Sequence, residues 1–213
     1  MSMEQYYSCC GKSICGGCAY SFCETGNLDN YPYCKAEISG KTDAENVEDL
    51  MKRVEANDAG AMYLLGNNYY HGQFGLQQDR GKALELWTQA AALGSSMAHY
   101  HLGLYYREGG KLKKAKFHLE AAAMAGNEVS RYNLGYIEYH SGNSQRALKH
   151  WTIAASAGHH KAMNALQIRF KQGSISRATI DATLTAYNNS CVEMRSKARD
   201  AFIRMAVDRI GGR

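Results

Sequence analysis

Lys82-Ala83-Leu84-Glu85-Leu86-Trp87-Thr88-Gln89-Ala90-Ala91-Ala92-Leu93-Gly94 decides the fold, because the chain repeats its pattern twice more. Lys114-Ala115 leads through Leu119 to Ala121-Ala122-Ala123-Met124-Ala125-Gly126. Arg146-Ala147 leads through Trp151 to Ala154-Ala155-Ser156-Ala157-Gly158. The closing glycines, Gly94, Gly126 and Gly158, are evenly spaced. Upstream, Leu65-Gly66, Leu102-Gly103 and Leu134-Gly135 recur, the last two at that same interval and the first two slightly further apart. The extra length of the first unit falls around Phe74-Gly75-Leu76. A fixed period of this kind marks stacked supersecondary units.

Each unit reads as two antiparallel helices. The first helix of the first unit runs from about Gly60 to His71, with Ala61, Leu65 and Tyr69 on one stripe. Its counterparts are Ala98, Leu102 and Tyr106, then Ser130, Leu134 and Glu138. Gly72 and Gly109 follow the last periodic residue, where a left-handed cap is expected. The second helices begin near Asp79, Lys111 and Ser144. Paired alanines let two helices approach closely, and Trp87 or Trp151 fills the space beside them. One such hairpin cannot cover its own apolar face, so neighbouring units must share a core.

Outside the repeats, Thr42 with Glu45 makes a capping box for a helix over 43–56, with Val47, Leu50, Met51 and Val54 on one face. After Gly158, Ala162, Leu166 and Phe170 repeat the first-helix stripe, and Gly173 closes it. Ser176 caps a long final helix with the stripe Ile180, Leu184, Tyr187, Cys191, Met194, Ala198, Ala201 and Met205. Steps alternating between four and three suit packing on the last hairpin. They also suit a coiled-coil seam, which would make a homodimer.

Composition agrees with helix: one proline stands against 28 alanines in 213 residues. Hydrophobic content of 45% and charge of 21% are those of a folded soluble chain. No apolar run approaches the ~20 residues that span a bilayer, and the first residues lack a signal-peptide pattern. The expectation is an intracellular, cytoplasmic protein without a membrane partner. Net charge is −2 over residues 1–40 and +7 over the remainder, without a long basic block, so no nucleic-acid partner is expected.

At this point the resemblance to a known repeat is close. Leu65-Gly66-x-x-Tyr69-x-x-Gly72-x-x-Gly75-Leu76-x-x-Asp79-x-x-Lys82-Ala83, then Trp87 and Ala90-Ala91-x-x-Gly94, resembles a full Sel-1-like repeat, a relative of the tetratricopeptide repeat. The second and third copies keep Leu-Gly, Lys/Arg-Ala and Ala-Ala-x-x-Gly but lose the Gly-x-x-Gly-Leu turn, and Glu138 replaces the usual tyrosine. The resemblance implies an all-α, right-handed α-solenoid over 57–175, in units 57–94, 95–126, 127–158 and a partial 159–175. A cysteine-rich segment (1–40) and a capping helix or linker (41–56) precede it, and a capping helix (176–213) follows. The resemblance also implies a non-catalytic scaffold or adaptor that binds a protein or peptide.

All but one of the cysteines lie at or before Cys34: Cys9, Cys10, Cys15, Cys18, Cys23 and Cys34 itself. Reduced, clustered thiols more often bind metal than pair. Cys15-x-x-Cys18, with glycines between, has zinc-knuckle spacing: a tight turn lets two thiolates face one ion about 2.3 Å away. Cys10 and Cys34 offer further ligands. Cys10-Gly11, Cys15-x-x-Cys18 and Tyr31-Pro32-Tyr33-Cys34 resemble the middle and end of a RING-type finger, with Tyr31 where a cysteine is usual. In that resemblance Cys9 and Cys10 supply neighbouring ligands, Cys23 replaces a missing one, and the first Cys-x-x-Cys pair is absent. One zinc is expected rather than two. The alternative function is a ubiquitin ligase, with the finger recruiting a ubiquitin-conjugating enzyme and the repeats selecting substrate. A tail of reduced thiols and disulfides are the other readings of the segment.

No catalytic residue is assigned. The chain has no Ser-His-Asp spacing, phosphate loop or His-Glu-x-x-His. The candidates for partner contact lie off the core stripe of the first helices. They are Leu64, Asn67 and His71; His101, Leu104 and Glu108; and Asn133, Tyr136 and His140. Mixed amide, aromatic and aliphatic side chains suit an extended peptide.

Overall fold

The computed structural model describes residues 4–7, 12–15 and 42–193. They fall into two compact units divided between Leu93 and Gly94.

In the first unit β1 (Glu4–Tyr7) pairs antiparallel with β2 (Lys12–Cys15), Glu4 opposite Cys15 and Tyr7 opposite Lys12. Cys15 therefore ends a strand. Cys9, Cys10, Cys18, Cys23 and Cys34, and with them the RING-like motif, lie outside the described residues.

Helix α1 (Asp43–Glu55) begins with the expected capping box. The Glu45 amide donates to Thr42 Oγ1 at 3.3 Å, and the Thr42 amide donates to Glu45 Oε2 at 2.7 Å. Val47 and Leu50 are buried, and α1 packs on α2 (Ala59–His71). Met51, expected on the same face, is 38% exposed and lines an open groove instead. Asp58 caps α2, its Oδ1 accepting from the amides of Gly60 at 2.9 Å and Ala61 at 3.1 Å, while Arg53 holds its other oxygen at 3.1 Å.

Helix α2 and helix α3 (Arg80–Ala92) form the first hairpin, with Ala61, Leu65, Ala83, Trp87 and Ala90 in its core. A Cβ on Gly66 would lie 2.7 Å from Trp87 Cδ1. The missing side chain is thus the seat of the indole, whose Nε1 donates to the Tyr63 carbonyl at 3.3 Å. The extra length of the first unit does sit between the two helices: residues 72–79 make that connection.

The second unit runs through α4 (Ser96–Glu108), α5 (Leu112–Met124), α6 (Glu128–His140), α7 (Ser144–Ser156), α8 (His160–Lys171) and α9 (Arg177–Glu193). Helices α4 with α5 and α6 with α7 are hairpins, and α5 against α6 and α7 against α8 join them into one stack. The glycine seat recurs. A Cβ on Gly103 would lie 2.6 Å from Leu119 Cγ, and one on Gly135 would lie 2.5 Å from Trp151 Cδ1. Trp151 Nε1 donates to the Tyr132 carbonyl at 3.3 Å, the bond Trp87 makes in the first unit.

Two local expectations are corrected, at Gly109 and in α9, and the departure at Glu138 is explained. The left-handed residue after α4 is Gly110 (φ 69°), not Gly109 (φ −78°), because Gly109 still donates to the Tyr105 carbonyl as the last helical turn closes. Glu138 lies at the stripe position that usually holds tyrosine, and it is buried as a paired carboxylate rather than packed as an apolar group. In α9 the inward positions are Ile180 and Thr183, with Tyr187 packed beside them, whereas Leu184 is 38% exposed. Ile180 and Tyr187 join the apolar cluster of α7 and α8, and Ser190 Oγ donates to the Ser156 carbonyl at 2.6 Å. That stretch of the seam is thus used against the chain's own last hairpin.

Gly135→Ala tests the seat. Alanine gains helix propensity of about 1 kcal/mol, but overpacking against a fixed indole costs about 1–3 kcal/mol. Net loss of stability is expected in urea titration, and Gly103→Ala, which faces Leu119 as closely, should lose stability likewise.

Candidate partner-binding surface

The first helices of the second unit are α4, α6 and α8, and each is started by a side chain at the same place in the repeat. Ser95 Oγ accepts from the Ala98 amide at 3.2 Å, Asn127 Oδ1 from the Ser130 amide at 2.7 Å, and His159 Nδ1 from the Ala162 amide at 3.2 Å. These caps relieve amides that would otherwise face no partner. They also fix the rotational setting of each helix, and so which side chains point away from the core.

Polar side chains join neighbouring first helices. Arg107 of α4 donates through Nη1 to Asn133 Oδ1 of α6, whose Nδ2 donates to the Val129 carbonyl at 2.8 Å. Arg169 of α8 donates to Tyr139 Oη of α6 at 2.8 Å and lies 4.3 Å from the centre of that ring. On the other side of α6, Lys116 of α5 holds Glu138 at 2.6 Å, and Asn143 donates to its second oxygen at 2.7 Å. Burial alone would raise the Glu138 pKa; the ammonium and the amide outweigh it and hold the carboxyl below its ordinary value.

The partner-contact residues named from the sequence separate into distinct settings. In the first unit, His71 is exposed at the end of α2, and Leu64 and Asn67 are half-buried; Asn67 Oδ1 is shut from solvent without a hydrogen-bond partner. In the second unit, His101 and Leu104 are half-buried and Glu108 is exposed at the end of α4. Tyr136 is 44% exposed, and its ring packs 4.2 Å from that of His140, which is also exposed. Asn133 is buried and committed to Arg107 and Val129, so its expected place on the open surface does not hold.

Sequence reasoning missed Ile168. It stands one repeat period after Tyr136 and two after Leu104, and it is 50% exposed on α8. Leu104, Tyr136 and Ile168 thus form one row of large, water-contacting apolar side chains, one from each successive first helix. Carrying the repeat period one helix further would have found it. Among the described residues, no group of three or more His, Cys, Asp or Glu could hold a metal ion. No helix there is long and apolar enough to cross a membrane.

Histidines are set into the same stack. His99 and His118 meet Nδ1 to Nδ1 at 3.0 Å, and Tyr106 stacks on His118 at 5.5 Å. Burial, then His99 and Lys114, lower the His118 pKa from 6.5 to about 4. Burial also lowers that of His159, which stacks on Tyr132 at 4.8 Å and needs a bare Nδ1 to cap α8.

Comparison with known proteins places these hairpins. Residues 59–95, 96–127 and 129–159 each match the Sel1 repeat. A Sel1 repeat protein of Oxalobacter formigenes is similar in structure, with 29% identity, 57% of this chain and 97% of that chain covered, and a TM-score of 0.51. The protective antigen c5321 of uropathogenic Escherichia coli strains, which displays an SLR fold, is 20% identical over 88% of this chain and 43% of its own, with a TM-score of 0.56. The likeness to c5321 speaks for the fold alone. No curated protein matches the chain.

The neutral histidines set a pH dependence. Folded His118 binds its proton only near pH 4, whereas unfolded it binds near 6.5, so its contribution to stability is complete above about pH 6.5 and lost as pH falls toward 4. Thermal melting should decline across that window. His159→Asn, which keeps a cap that does not titrate, should make the decline shallower.

Proposed function

We propose that this chain, a Sel1-like repeat protein, works in the cytoplasm as a non-catalytic scaffold whose second unit holds an extended, acidic peptide segment of a partner protein. The row Leu104, Tyr136 and Ile168 carries the reading. Packed helices stand roughly 10 Å apart. Three residues of a polyproline II chain make one turn and advance about 9 Å, so a ligand in that conformation with an apolar side chain at every third position would meet the row in step. Residues 94–193 hold twelve Lys and Arg against six Asp and Glu, which favours an acidic ligand and speeds its encounter. His140, beside Tyr136, and Glu108, at the end of α4, would border the bound segment.

Selection of displayed peptides on the full chain tests this. Enrichment of acidic sequences with apolar residues three apart is expected, and Tyr136→Ala with Ile168→Ser should weaken their binding about tenfold or more, as for a buried aromatic anchor. Enrichment of nothing, or of peptides indifferent to both changes, would end the reading.

Zinc at the cysteine-rich segment remains part of the proposal. The spacing Cys15-Gly16-Gly17-Cys18, that of a zinc knuckle, supports the reading. Metal analysis of the purified chain should find one zinc, lost in Cys15→Ala. Two tightly held ions would favour the ligase reading, in which a ubiquitin-conjugating enzyme is the second partner. None would remove zinc from the account.

A further inference from the structure

Between α1 and the turn joining α2 to α3 lies an open groove of about 500 Å³, entirely within the first unit. Val47, Met51, Phe74 and Leu76 give it an apolar floor, and at its rim stand Asp43 and Glu48, the latter in an exposed ion pair with Lys52 at 2.9 Å that a second cation can share. Two of these residues are held against ordinary preference. Phe74 is 47% exposed, although aromatic rings are among the groups that gain most from burial. Its backbone is also left-handed, at φ 55°, a conformation that a bulky side chain resists. Met51 adds a flexible thioether, 38% exposed, on the facing wall. A turn that accepts backbone strain and leaves an aromatic ring in water is built to present that ring to something.

Charge says what. Residues 42–93 hold eight Asp and Glu against four Lys and Arg. The matching stretch is in the same chain: residues 195–213 hold six Lys and Arg against two Asp, with Phe202-Ile203-Arg204-Met205 at their centre. The other basic block, Lys111-Leu112-Lys113-Lys114, is already taken up in the start of α5. The remaining residues outside those described, at the N-terminal end, are not basic in balance.

We propose that the groove between α1 and the Phe74 turn is the docking site for the chain's own residues 195–213, with an apolar side chain from Phe202–Met205 against Phe74 and Met51 and arginines toward Asp43 and Glu48. The site is separate from the row on α4, α6 and α8, so either can fail without the other. The test uses the full chain with the photoreactive residue p-benzoylphenylalanine in place of Met51, irradiated and mapped by mass spectrometry. Adducts within 195–213 are expected. Their yield should fall about fivefold in Arg204→Glu with Arg209→Glu, the scale of two exposed ion pairs. Phe74→Asn should lower the yield similarly and leave the melting temperature unchanged or raised, because asparagine accepts the left-handed backbone that phenylalanine resists. Adducts confined to other residues, or a yield unmoved by all these changes, overturn the assignment.

Discussion

A side chain that is not there organises the helical part of this protein. In each of three hairpins a glycine on the first helix leaves space that a large side chain from the second helix fills: Trp87 against Gly66, Leu119 against Gly103, Trp151 against Gly135. The alanines around each seat are wholly or almost wholly shut from solvent, so the helices meet at close range and little can shift to absorb an added atom. Glycine weakens an isolated helix, and the hairpin recovers that loss by burying an indole or a leucine. The indoles of Trp87 and Trp151 also need a hydrogen-bond acceptor, and each finds it in a carbonyl of the facing helix.

Once the hairpins are set, polar groups connect one to the next in the second unit. Arg107 with Asn133, Lys116 with Glu138 and Arg169 with Tyr139 all run between helices of successive repeats. Glu138 is almost wholly buried in its pair with Lys116, and its second oxygen is also satisfied. A partly satisfied carboxylate at that depth would cost more than the apolar residue it displaces. Rigid spacing of the first helices follows, and a row of exposed apolar side chains is useful to a ligand only if its spacing is fixed.

Much of this was readable in the sequence, and the reasons differ by level. The constant repeat period, the Leu-Gly pairs and the alanine runs identify hairpins because each records a packing need inside one unit. The Thr42 and Glu45 box places α1 because capping is local chemistry. Contacts between successive repeats were harder. Asn133 sits at an outward position on a helical wheel, yet it is covered, because Arg107 reaches across from another helix. Glu138 reads as a departure from the pattern until Lys116 and Asn143 are beside it. The cap column was legible and passed over: Asp58, Ser95, Asn127 and His159 keep the repeat spacing, but histidine is not a residue one reads as a cap.

The long connection between α2 and α3, 72–79, has a consequence for how such chains change length. The corresponding links elsewhere, 109–111 and 141–143, are much shorter. Yet Gly66 and Trp87 on either side meet as closely as their counterparts do. Extra residues at that edge are absorbed locally and leave the pairing of the flanking helices in phase. Added length is tolerated at this margin, whereas an insertion inside either helix would throw every downstream side chain onto the wrong face.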